Sequence, residues 1–299
     1  MIRVANAPCS WGALEFDAAE QPVPAPQVLD EMAAAGYVGT ELGDWGFLPT
    51  TPAALAATVK QRNLALVAAF VPVALARADA LEEGIARAVR TARLLTEAQA
   101  SDAFIVLSDD NASVPARTTR AGRIRDEDGL TAEQWNAFAQ RAERVAAEVK
   151  HAAGLRTVFH HHCAGYVETP AEIDALCSRT DPSLLGLCLD TGHLTFAGGD
   201  PFAALATYGD RVWHVHFKDC DPAVAERSRI EGWDYHHSVR RGIFCELGRG
   251  SVPFSQVLDA LRARRYSGWI VVEQDVLPGL GTPAASAMRN REYLRGLGI

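Results

Sequence analysis

The 299-residue sequence has no excess of basic charge, no cysteine framework and no long apolar run, and each absence closes a class of function. With 29 Lys and Arg against 37 Asp and Glu, the formal net charge of -8 argues against general affinity for nucleic acid or anionic membrane, which needs a dense positive surface. The six cysteines (9, 163, 177, 188, 220 and 245) are scattered without a C-x-x-C pair. They resemble neither a disulfide scaffold nor a zinc ribbon, and read as small buried hydrophobes of a reducing compartment. No stretch reaches membrane-spanning length, and the opening "MIRVANAPCSWG" lacks the charged head and apolar run of a signal peptide. The expected setting is the cytoplasm, and the expected partner a small molecule.

What is present is alternation. Short β-rich runs begin at Ile2, Tyr37, Leu64, Asp102, Arg156, Leu185, Arg211 and Trp269. Between them lie helical stretches such as "PAPQVLDEMAAAG", "ALEEGIARAVRTARLLTEA", "TAEQWNAFAQRAERVAAEVKHAAG" and "PFSQVLDALRARR", most with proline or threonine start signals and two stopping at glycine. Parallel strands need crossover helices, so eight repeats of this unit predict an α/β fold, a closed (β/α)8 TIM barrel. No linker interrupts it, and residues 1–299 read as one domain. Two excursions, about 109–130 and 219–253, are too long for turns. Both follow strand C-termini, the end at which such barrels keep their active sites.

Eight of the nine histidines fall between His160 and His237. In "TVFHHHCAGYVET" the two-residue period of a strand lets His160 and His162 look the same way, which leaves His161 for a structural role toward the helices. Alternation in "LCLDTGH" turns Cys188 and Asp190 toward the barrel axis, and in "WHVHFKD" it puts His214, His216 and Lys218 on one face. "VVEQD" adds Glu273. Any one of these alone is more often a turn or capping residue than a ligand. Together they place ionisable groups from four consecutive strands at one barrel end, within reach of one ion. Imidazole mixed with carboxylate suits a divalent transition metal such as Mn²⁺, Co²⁺, Fe²⁺ or Zn²⁺, whereas Mg²⁺ and Ca²⁺ favour all-oxygen ligands.

Substrate handles are expected at the tips of the first two strands: Asn6, Ser10 and Trp11 in "NAPCSWG", and Glu41, Asp44 and Trp45 in "GTELGDWG". His160 is a further candidate, with His237 and Arg249 from the second excursion. In "TTRAGRIR" the cluster of Arg117, Arg120, Arg123 and Arg125 reads as a solvated loop.

Taken in order, "NAPCSWG", "GTELGDWGFLP", "AGRIRDEDGLT", "FHHHCAGYVET", "LCLDTGHLTFAGGDP", "VHFKD", "LGRGSVPF" and "GWIVVEQD" resemble the inosose dehydratases, xylose isomerase-like TIM barrels related to sugar epimerases and endonuclease IV. The resemblance runs over nearly the whole chain. It implies a metal-dependent lyase, with Mn or Co the expected ion, that removes water from 2-keto-myo-inositol (scyllo-inosose). In that superfamily the metal is commonly held by Glu, Asp, His and Glu on strands five to eight. Asp190, His216 and Glu273 match the last three, whereas strand five offers His160 in place of Glu, with His162 or Glu168 as alternatives. Dehydration beside a ketone needs a base for the α-proton and an acid for the departing hydroxyl, and Lys218, His193 and His162 are the candidates. A neighbouring cation would lower the pKa of Lys218. Relatives of this type often form homo-oligomers. An epimerase or isomerase is the nearest rival function, a non-catalytic sugar-binding protein the next; the acidic balance speaks against a nuclease.

Overall fold

The computed structural model describes residues 1–12, 23–276 and 279–299. Among the described residues ten strands are formed: β1 (Arg3–Asn6), β2 (Gly39–Glu41), β3 (Ala65–Pro72), β4 (Phe104–Ser108), β5 (Arg156–His160), β6 (Leu185–Asp190), β7 (Val212–Phe217), β8 (Asp219–Cys220), β9 (Phe244–Cys245) and β10 (Trp269–Val272). Eight of them close into a barrel in the order β1-β10-β7-β6-β5-β4-β3-β2, and every barrel pairing is parallel. These are the eight runs expected from the alternation of apolar segments. The pair β8 and β9 is an antiparallel ribbon inside the second excursion, which its irregular sequence did not announce. The fifth strand is also shorter than its apolar run, ending at His160, so His161 and His162 lie beyond the ladder.

The helices form where the start and stop signals put them. Ala25–Ala35 follows Pro24 and ends at Gly36, whose φ of 91° favours a residue without Cβ. Ala132–Ala153 opens with a reciprocal Thr131–Gln134 capping box and stops at Gly154. Leucine, valine and phenylalanine from the helices and from the outward faces of the strands make the main core, including Ile105, Leu107, Phe159, Leu187, Leu189, Val215, Phe217, Ile270 and Val272. The inward face makes a second core from Ala5, Val67, Ala68, Phe104, Val106, Val158, Cys188, Trp269 and Val271. That layer plugs the lower barrel and forces any ligand site to the upper end.

The two excursions cover the upper end and pack on each other through a third apolar cluster that includes Ala121, Phe196, Tyr235, Val239 and Phe244. Arg123 donates to the carbonyl of Trp233 at 2.7 Å, and Arg229 to those of Phe196 at 3.0 Å and Gly122 at 3.3 Å. The reading of the arginine cluster as solvated fails for Arg117. Its guanidinium is fully buried, paired bidentately with Glu172 at 2.6 and 2.9 Å, and donates to the carbonyl of Gly165 at 2.8 Å. The mutual packing of the excursions removes it from water, and Glu172 satisfies its charge. Among the described residues, no helix is long and apolar enough to cross a membrane.

Candidate metal centre and its cavity

His160 ends β5, Asp190 ends β6, His216 is the penultimate residue of β7 and Glu273 directly follows β10. Asp190 is level with His216 in the ladder, whereas His160 pairs with Cys188 and His216 with Val271, so it is across staggered strands that the four side chains converge. Each offers an atom within 4.8 Å of the others. His160 Nε2 lies 3.5 Å from Asp190 Oδ2, and His216 Nδ1 lies 3.9 Å from that oxygen and 3.2 Å from Glu273 Oε1. Donors bound at about 2.1 Å around one ion stand about 3.0–3.4 Å apart, so these gaps need to close only a little.

The residues fit a cation on a second ground. Asp190 Oδ1 accepts the backbone N–H of His193 at 2.8 Å as the cap of the helix Thr191–Phe196. Its other oxygen, Oδ2, is buried with no hydrogen-bond partner, as is Nδ1 of His216. Buried polar atoms are rarely left unpaired, and two orphans converging at one point mark a place where a positive charge is wanted. Burial, with help from His216 and His162, holds His160 well below the ordinary imidazole pKa, in the neutral form that ligates. Cys188 also approaches this group, but burial pushes its thiol up to about 12, so it stays protonated.

Of the strand-five alternatives, His160 joins the cluster and Glu168 does not. The carboxylate of Glu168 accepts the amides of Gly122 and Ala164, each at 2.7 Å, and braces the first excursion. His162 turns its Nδ1–H onto the carbonyl of Cys163 at 2.6 Å and sets Nε2 3.4 Å from the hydroxyl of Tyr235. His161 is fully buried, and its Nε2 accepts the backbone N–H of Asp190 at 3.1 Å.

Lys218 Nζ stands 3.3 Å from Glu273, 3.5 Å from Asp275 and 3.4 Å from Nε2 of His193. The depressed pKa expected for Lys218 is not what the protein's own groups produce. Burial works in that direction, but Asp275, Glu273 and Asp190 outweigh it and hold the ammonium charged. Its stem passes so close to Gly192 that a Cβ there would sit 2.8 Å from Lys218 Cβ. His193 lies behind it, its Nδ1 accepting the N–H of Cys163 at 3.3 Å and its ring centroid 3.8 Å from that of His162, the planes tilted by 38°.

These groups open on a cavity of about 240 Å³ whose walls include Pro8, Phe70, Tyr235, His160, His162 and Lys218. It is smaller than the roughly 300–1,000 Å³ clefts that hold drug-sized ligands. Its charged lining comprises Glu41, Asp44, Asp110, Glu273 and Asp275 against Lys218, a balance hostile to anions.

Five expected handles are elsewhere. Asn6 is fully buried and accepts from Ser10 Oγ at 2.7 Å; Trp11 packs in the core and donates to Glu31 at 2.7 Å. Trp45 lies under the guanidinium of Arg90 and lines a neighbouring groove. His237 stacks on Trp233, and Arg249 is exposed and paired with Glu246. Asp275 and Tyr235 line the cavity without having been anticipated. For Asp275 a signal existed, because it continues the two-residue step from Val271 and Glu273.

The family model described as xylose isomerase-like TIM barrel matches residues 29–297. The inosose dehydratase of Geobacillus kaustophilus is 32% identical over 98% of this chain and 94% of its own. The chain belongs to the inosose dehydratase family. Membership makes it an enzyme, a hydro-lyase. This inosose dehydratase family member shares its barrel with solved structures of more distant sequence. A 3-keto-D-glucoside 4-epimerase from E. coli aligns at a TM-score of 0.71 and 16% identity, covering 99% of this chain and 100% of that one. A probable 3-DHS dehydratase from Bacillus anthracis aligns at 0.69 and 13%, covering 96% and 97%. At these identities the likeness is one of fold.

Proposed function

We propose that the protein is a metal-dependent dehydratase of an uncharged keto-polyol, scyllo-inosose, acting in inositol catabolism. The observation that carries this reading is the convergence of His160, Asp190, His216 and Glu273 at the floor of a small, carboxylate-lined cavity, in a chain whose relatives carry the inosose dehydratase name. A divalent ion held by those four side chains supplies Lewis-acid stabilisation of the negative charge that develops when a ketone loses its α-proton. The donor set favours Mn²⁺ or Co²⁺, with Fe²⁺ and Zn²⁺ as further candidates.

The chain's own groups do the proton work. His162 has its Nδ1 committed to a carbonyl, so Nε2 is the nitrogen that takes up or returns a proton at the cavity wall. Lys218, held charged between Glu273 and Asp275, donates to the oxygen that leaves. His193 supports both from behind. The carboxylate lining accepts hydrogen bonds from ring hydroxyls and repels phosphorylated or carboxylated rings.

The test incubates the purified protein with Mn²⁺ or Co²⁺ and scyllo-inosose, following the appearance of a dione chromophore. Uptake of solvent deuterium into the substrate without loss of water would instead make it an epimerase or isomerase.

A further inference from the structure

Glu41 reaches across the barrel from β2 to β7, and one of its oxygens serves two imidazoles. Oε1 accepts from His214 Nε2–H at 2.9 Å and from His216 Nε2–H at 3.0 Å, with all three side chains at most 3% exposed. In the neutral form that ligates a metal, a ring that carries its hydrogen on Nε2 presents the lone pair on Nδ1. For His216, Nδ1 is the atom that faces Asp190 and Glu273 and that otherwise has no partner. Turned over, the ring would point its hydrogen at the cation position and lose Glu41 as well. His214, one strand period below, has no place in the four-residue cluster; it holds the Glu41 carboxylate in line from beneath. The barrel ladder is irregular beside both partners, between Thr40 and Glu41 and between Leu187 and Cys188, where Cys188 is level with His214. Such irregularities re-aim side chains.

We infer that Glu41, expected from the sequence as a substrate contact, is the positioning residue of the metal centre, fixing the tautomer and ring orientation of His216. The inference rests on the metal-centre reading above. Carboxylates behind a ligating histidine change metal affinity about 10–100-fold when replaced.

The experiment titrates the full-length, metal-free protein with Mn²⁺ and reads the free ion by electron paramagnetic resonance. The expected outcome is a Kd raised about 10–100-fold in Glu41→Gln and by a smaller factor in His214→Gln, which keeps the Glu41–His216 bond. Circular dichroism checks that both variants are folded. Independently, ¹⁵N-histidine spectra of the Zn²⁺-loaded parent should show the hydrogen of His216 on Nε2, a result that needs no variant. A Glu41→Gln Kd within twofold of the parent, or a His216 hydrogen on Nδ1, overturns the inference. A parent that binds neither ion overturns the metal-centre reading itself, a distinguishable failure.

Discussion

The lower and upper halves of the barrel interior are built by the same strands and differ by one step of the strand period. Val158 gives way to His160, Cys188 to Asp190, His214 to His216 and Val271 to Glu273. Below the step the interior is an apolar plug apart from His214; above it, ionisable side chains from several strands face the cavity. Burying a side chain of the first kind contributes roughly 1.5–3 kcal/mol, whereas a buried charge of the second kind costs free energy unless it is paired. The contrast separates two jobs. The plug stabilises the fold, and that stability tolerates a crowd of buried carboxylates and imidazoles whose unmet bonding capacity is available to a ligand.

The sharpest way to break the comparison is to change one residue on each side of the step. Asp190→Asn keeps an oxygen to cap the helix but removes the charge from the cluster. It is expected to abolish tight Mn²⁺ binding and lower kcat/KM for scyllo-inosose on the order of 10³-fold, several kcal/mol of transition-state stabilisation, with little change in melting temperature. Phe104→Ala, in the plug, should do the reverse: about 3–5 kcal/mol lost in urea unfolding and the Mn²⁺ Kd unchanged. If Phe104→Ala weakened metal binding as strongly as Asp190→Asn, the two layers would not be separable.

Two smaller effects sharpen it outside the barrel. Arg117→Met leaves the carboxylate of Glu172 buried without its cation, and should cost about 3–5 kcal/mol or melt the first excursion as a unit, seen as early hydrogen exchange over residues 109–130. Asp109 titrates in the opposite sense to a paired surface carboxylate. Burial raises it from 3.8 to about 6, against the hydrogen bonds donated by Tyr166, Asp110 and Leu75. The folded state therefore holds the proton longer than the unfolded chain. This contribution is full below pH 3.8 and is lost as pH rises through about 6. Asp109→Asn should lower stability at pH 4 relative to pH 7.5 by roughly 2 kcal/mol compared with the parent, measured by urea unfolding at the two pH values.

The step itself was legible in the sequence, because a period of two assigns each strand residue to the axis or to the helices. That is how Asp190, His216 and Glu273 could be grouped from three separated segments. Periodicity does not say which opposite strand a long side chain touches, so it places Glu41 at the cavity but not against its two imidazole partners, 173 and 175 residues away. Nor does it extend into the excursions, where Tyr235 reaches the cavity and Arg117 is enclosed by packing that no local pattern encodes. Periodicity is equally silent on the charge of Lys218 in the absence of a neighbouring cation. That charge is set by Asp275 and Glu273 on the neighbouring strand end, which compete with burial, and the balance depends on distances.

Asp190 divides its carboxylate between a helix and the cluster. Because one oxygen is tethered to the first turn of Thr191–Phe196, the other cannot swing away, and its aim is settled when the chain folds. On the proposed metal-centre reading, an arriving ion would meet a donor already held in place, so its capture would carry a smaller entropic penalty.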